Sequence, residues 1–137
     1  MIRRASTSLT VLLAAACGSS DPAGPGNPQP TPSEPSDIAI VVGASNLTTT
    51  AFDPNPKEVA LAGGTATVRW VNRDVSGGGY GGGTATAHMI ASDDGAFASS
   101  QTLGANATYA ISLTKAGSYG YHCAIHPNMV GTITVTP

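Results

Sequence analysis

Charged side chains are scarce. Six Lys and Arg and eight Asp and Glu among 137 residues leave a formal net charge of -2, which excludes the electrostatic footprint of a nucleic-acid binder. It also leaves no basic cluster for an anionic membrane surface. A sustained helical period is missing, which argues against a helical architecture. Internal repeats are absent. The longest apolar run, 9–16, is too short to span a bilayer. The stretch SGGGYGGGTATA at 76–87 lacks the lysine and the strand-then-helix setting of a phosphate-binding loop, so it reads as a loop insertion leading to His88. Cysteine is limited to Cys17 and Cys123, which excludes a disulfide-dense scaffold.

What is present falls into three parts. The opening MIRRASTSLTVLLAAAC has two arginines, a short apolar core and small residues before a cysteine, the layout of an export signal. It resembles a bacterial lipoprotein signal with Cys17 as the lipidated first residue of the mature chain, although Ala14 stands where such signals usually carry Leu. An ordinary signal peptide cut nearby is the alternative. Residues 17–36 are rich in Pro, Gly and Ser and cannot bury enough surface to offset their ordering entropy. They form a semi-extended tether. The expected division is a signal at 1–16, a lipid-anchored tether at 17–36 and one folded domain at 37–137. The protein is expected to be exported, periplasmic or at the cell surface, and held to a membrane through Cys17. A Cys17–Cys123 disulfide would have to cross the whole tether.

The folded part alternates short strands with turn signals and is expected to be an all-β sandwich. Ile38, Ile40 and Val42 alternate in DIAIVV. A turn at 53–56 precedes a short strand at 58–61. Ala66, Val68 and Trp70 share one face of TATVRWV, because strands pleat with a period of two. Tyr109, Ile111 and Leu113 point inward, as do Ile133 and Val135. Tyr119, Tyr121 and Cys123 share a face. Residues 92–103 read as irregular with room for a helical turn.

Chemistry concentrates in GYHCAIHPNMVGTITV. Cys123 ends a strand; His126 and Met129 follow in a loop stiffened by Pro127, and the chain re-enters a strand at Val130. A loop this short can bring three side chains around one point. Of the other two histidines, His122 adjoins Cys123 and so faces the opposite side of the strand. His88 is therefore the candidate fourth ligand. Two His, a Cys thiolate and a Met thioether form the ligand set of a mononuclear electron-transfer copper site, with His₂Cys in plane and Met on a long axis.

Here the chain resembles the cupredoxins, the family of plastocyanin, pseudoazurin and amicyanin. The spacing Cys123-x₂-His126-x₂-Met129 is similar to the short ligand loop of amicyanin. Phe52 and Pro54, then Val68, Trp70, Asn72 and Asp74, match the pattern that leads to the first histidine ligand. The resemblance implies a Greek-key β-sandwich, one copper ion cycling between Cu(I) and Cu(II), and metal ligands His88, Cys123, His126 and Met129. It implies transient redox partners such as a cytochrome or dehydrogenase, a monomer, no catalytic residues, and an electron port at His126 rimmed by Ala124, Ile125, Pro127 and Asn128. Two departures stand out: the insertion before His88, and Met89 where the family often has Asn.

Competing chemistries are weighed by the residues they need. Zinc accepts Cys and His but seldom Met. A binuclear copper centre needs a second cysteine in the loop. A Cys–His nucleophile needs an accessible cleft and an oxyanion site, and no further group supplies them. Copper storage or delivery could use the same ligands, though labile copper carriers tend to expose Cys- or Met-rich clusters.

Overall fold

The computed structural model describes residues 36–76 and 84–137. Its strands are β1 (Ser36–Ile40), β2 (Phe52–Asp53), β3 (Lys57–Ala60), β4 (Ala66–Asn72), β5 (Val75–Ser76), β6 (Thr84–Ala85), β7 (Ile90–Ser92), β8 (Thr108–Leu113), β9 (Gly117–Cys123) and β10 (Val130–Thr136). They form two four-stranded sheets, β2-β1-β4-β8 and β3-β10-β9-β7, beside a small β5-β6 ladder. Two pairings are parallel, β1 with β4 and β3 with β10. The remaining ladders are antiparallel. The molecule is a Greek-key β-sandwich, as expected. Expectations for the segments 1–16 and 17–35, including the anchor at Cys17, lie outside the described residues, as does the middle of the glycine-rich loop. Ser36, expected to end the tether, already belongs to β1.

Strand alternation builds the core. Ala66, Val68 and Trp70 of β4 are buried, while Thr65, Thr67 and Arg69 between them are partly exposed. Ile38, Ile40, Ile111, Leu113, Tyr121, Cys123, Ile133 and Val135 complete the apolar layer. Each large aliphatic side chain removed from water contributes ~1.5–3 kcal/mol. Trp70 is the hub of the aromatic cluster. It stacks on Tyr109 at 5.7 Å and meets Tyr121 edge-on at 5.0 Å, and Tyr121 in turn meets Phe52 edge-on at 4.9 Å. Such offset and edge-to-face contacts are the arrangements that aromatic quadrupoles favour.

Three expectations need correction. Val42 does not continue the inward series of Ile38 and Ile40; it is 62% exposed. The β1 ladder ends at Ile40, and Gly43, with φ of 75°, turns the chain into a short 3-10 turn at Ala44–Asn46. The strand expected at 58–61 occupies Lys57–Ala60. Residues 92–103 contain no helical turn. Their backbone is spent on other partners instead: Ser100 N–H donates to the Ile90 carbonyl, Leu103 N–H to the His88 carbonyl, and Ala96 N–H to the Ser92 hydroxyl.

Candidate metal centre

The site lies at one end of the sandwich, where β9 hands the chain to β10 through the loop 124–129. That loop closes on itself. Cys123 N–H donates to the Met129 carbonyl at 3.0 Å, and Met129 N–H donates to the His126 carbonyl at 2.9 Å. The stretch before β7 brings His88 alongside: Ile90 pairs with Cys123, and Ala124 N–H donates to the Met89 carbonyl at 2.7 Å. A reciprocal bridge between His88 and Leu103 fixes the backbone of His88.

These elements bring His88, Cys123 and His126 together. Cys123 Sγ lies 3.7 Å from His88 Nδ1 and 3.7 Å from His126 Nδ1. The three donor atoms fall within 4.8 Å of one another. His88, Cys123 and Met129 are fully buried; His126 is partly exposed. Met129, the last residue of the same loop, is buried and tied by backbone bonds to Cys123 and His126. His122 faces the other side of β9, where its Nδ1 sits 2.6 Å from the Asp93 carboxylate.

Sequence reasoning missed the groups that hold the ligands. His88 Nε2 lies 2.9 Å from Asp74 Oδ2. A carboxylate only accepts, so Nε2 carries the proton, and Nδ1 is the ring atom that faces Cys123 and is left to take a metal. Asn72 is buried, and its Nδ2 donates to the Thr86 and Leu103 carbonyls. On the opposite arm, Asn128 Nδ2 donates to the carbonyls of Ser45 and Leu47. Asn55 Nδ2 donates to the carbonyl of Val130, and Thr132 N–H donates to Asn55 Oδ1. The only signal for any of these was the Asn72-x-Asp74 pattern, which carried no stated role. Met89 contributes its backbone N–H, which points at Cys123 Sγ at 3.5 Å, a contact independent of the side chain at that position.

The electrostatics suit a thiolate. Burial pushes the Cys123 thiol up, but the His88 imidazole and the N–H groups of Met89, His126 and Ile125 outweigh it and bring the pKa down to about 6. Burial lowers the pKa of His88, yet Cys123 and Asp74 beside it raise it overall. Asp74 is held below the usual carboxylate range: burial opposes this, and hydrogen bonds from Gly43 N–H and His88 prevail. The thiolate is the form that binds metals.

The donor set fits an ion. Two donors that each bind one ion at ~2.0–2.3 Å can lie no more than ~4.6 Å apart, and both 3.7 Å nitrogen–sulfur separations meet that limit. A thiolate with two imidazoles suits copper and zinc alike, and a buried thioether in the same loop favours copper.

Comparison with known proteins bears on that choice. No curated protein matches the sequence. Among solved structures, the chain is similar to a purple cupredoxin from Nitrosopumilus maritimus, at 25% identity and a TM-score of 0.60, covering 74% of this chain and 99% of that one. An amicyanin variant in its reduced Cu(I) form matches at 19% identity and a TM-score of 0.54, covering 77% of this chain and 86% of that one. A copper-containing nitrite reductase from Thermus scotoductus matches at 27% identity and a TM-score of 0.55 over 85% of this chain but only 27% of its own length. Residues 39–136 match the copper-binding proteins of the plastocyanin/azurin family. With that match spanning every strand from β2 to β10 and the Cys-His-His cluster formed where those strands converge, the chain belongs to the plastocyanin/azurin family of copper-binding proteins.

Proposed function

We propose that the domain is an electron carrier and that His88, Cys123, His126 and Met129 would hold its copper ion. The observation that carries this reading is the buried Cys123 sulfur placed 3.7 Å from both histidine Nδ1 atoms, inside a loop already closed by its own hydrogen bonds. Copper, when bound, supplies a one-electron couple between Cu(II) and Cu(I). The protein's part is to keep the donors still. Burial of His88, Cys123 and Met129 excludes water, and the sheet on either side limits movement when charge changes. His126 is the ligand nearest solvent. Ala124, Ile125, Pro127 and Asn128 around it are exposed, Ile125 by 45%, which suits brief encounters over a small area. Such contacts fit transient redox partners better than a stable complex. Nothing about the set resembles an exposed, labile copper store.

Electron self-exchange tests this reading. Mixtures of the Cu(I) and Cu(II) forms should show exchange broadening of the resonances near His126 that grows with protein concentration. Absence of exchange, together with rapid loss of copper to a competing chelator, would favour storage or delivery instead.

We further propose that Cys17 is lipidated and that the 18–35 segment tethers the domain within reach of membrane-bound partners. A single acyl chain binds a membrane only marginally, and two or more give stable anchoring. Anchoring raises the local concentration of the domain near its partners. Cys17→Ser should release the protein from membranes and leave its copper binding unchanged. Mass spectrometry of the native N-terminus decides the point, since an unmodified Cys17 peptide would leave a freely diffusing carrier.

A further inference from the structure

The strongest feature that copper ligation alone does not account for is a buried carboxylate behind a ligand. Asp74 is 1% exposed. Its Oδ1 accepts Gly43 N–H at 2.7 Å, and its Oδ2 accepts His88 Nε2–H at 2.9 Å. Its own N–H donates to Asn72 Oδ1 at 2.9 Å, and its carbonyl accepts Thr86 N–H at 3.0 Å. Each carboxylate oxygen thus meets a donor, and the Thr86 hydroxyl is a further one. A neutral amide there would set its NH₂ against one of them, so the position calls for an acceptor on both sides. Burying a carboxylate is costly unless it is paired, whereas a neutral acceptor such as a backbone carbonyl would satisfy the buried Nε2–H without placing a charge there.

We propose that Asp74 is the positioning residue for His88, locking the ring with Nδ1 toward the metal and biasing the bound copper toward Cu(II). The orienting part follows from the hydrogen bond: with Nε2–H committed to Asp74, ring rotation would break a buried charge-assisted contact. The bias follows from charge. A negative group one imidazole away from the ion, with little water between, favours the oxidation state with the greater positive charge. The same bond reaches further. Gly43 begins the segment whose Ser45 and Leu47 carbonyls hold Asn128, so one segment braces both arms that carry the histidines.

This inference rests on the copper reading, and its test separates the two. The full-length copper-loaded protein and its Asp74→Asn variant are compared by visible absorption and by redox titration. The parent and variant should both be coloured, with the variant's preference for Cu(I) over Cu(II) increased about tenfold, equal to ~59 mV for a one-electron couple. A coloured, folded Asp74→Asn protein whose ratio stays within about twofold of the parent overturns the proposal, because a merely structural role would leave the potential unmoved. If the variant does not fold, the Cu(I) parent decides by proton NMR. A slowly exchanging His88 Nε2–H resonance supports the bond to Asp74, and a rapidly exchanging one overturns it. A parent that stays colourless with Cu(II) fails at the copper reading itself, a result distinct from two coloured proteins of equal potential.

Discussion

His88→Ala and His126→Ala should each abolish the colour of the Cu(II) protein and weaken copper binding by more than ~100-fold, since even loss of a group behind a ligand commonly costs ~10–100-fold. His122→Ala should keep both colour and affinity. The reason is the period of the β9 strand: Cys123 points into the sandwich, while His122 points out to the Asp93 carboxylate. Met129→Leu should retain copper and raise the reduction potential, because a lost thioether donor disfavours Cu(II) more than Cu(I). Copper titrations of the four variants, followed by visible absorption, check the set. Bleaching by His122→Ala with colour kept by His88→Ala would overturn the ligand assignment.

Gly131→Ala should unfold the domain more readily by at least ~1–3 kcal/mol, the usual cost of overpacking a well-filled interior. Gly131 pairs with Tyr121 across the β9–β10 ladder, and a Cβ at Gly131 would overlap Cζ and the hydroxyl of the Tyr121 ring. That ring is not free to swing aside, since Trp70 and Phe52 both pack on it. In a domain of this size each kcal/mol lowers Tm by ~4–8 °C. Gly104 is the contrast, with nothing within 4 Å of an added Cβ, so Gly104→Ala should be close to neutral. Thermal unfolding of the metal-free variants measures both; equal midpoints would contradict the packing described for Tyr121.

The two effects mark what could be read from sequence and what could not. Cys123, His126 and Met129 stood out because their chemistry is rare and their spacing local. The exclusion of His122 needed only strand alternation, and the inward faces of β4, β8, β9 and β10 followed from the same period. His88 was reachable only through the fold, since it lies 35 positions from Cys123. The supporting contacts were invisible because they join distant segments through common residue types. Asn128 reaches Ser45 across 83 positions, Asn55 reaches Val130 across 75, and Gly43 reaches Asp74 across 31. No periodicity encodes such pairings. Asn128, read as part of an exposed rim, also turns out to pin the ligand loop. Val42 misled for a related reason: apolar alternation continues past Ile40, but the strand ends there, Val41 N–H makes a last bond to the Ala51 carbonyl, and Gly43 redirects the chain.

The central claim is a mononuclear copper–thiolate site at Cys123, and the visible spectrum of the oxidised full-length protein tests it most directly. Titration with Cu(II) should produce an intense blue or green colour that saturates at one ion per chain, bleaches on one-electron reduction and returns on reoxidation. A colourless Cu(II) form, or zinc held in preference to copper in direct competition, would contradict it.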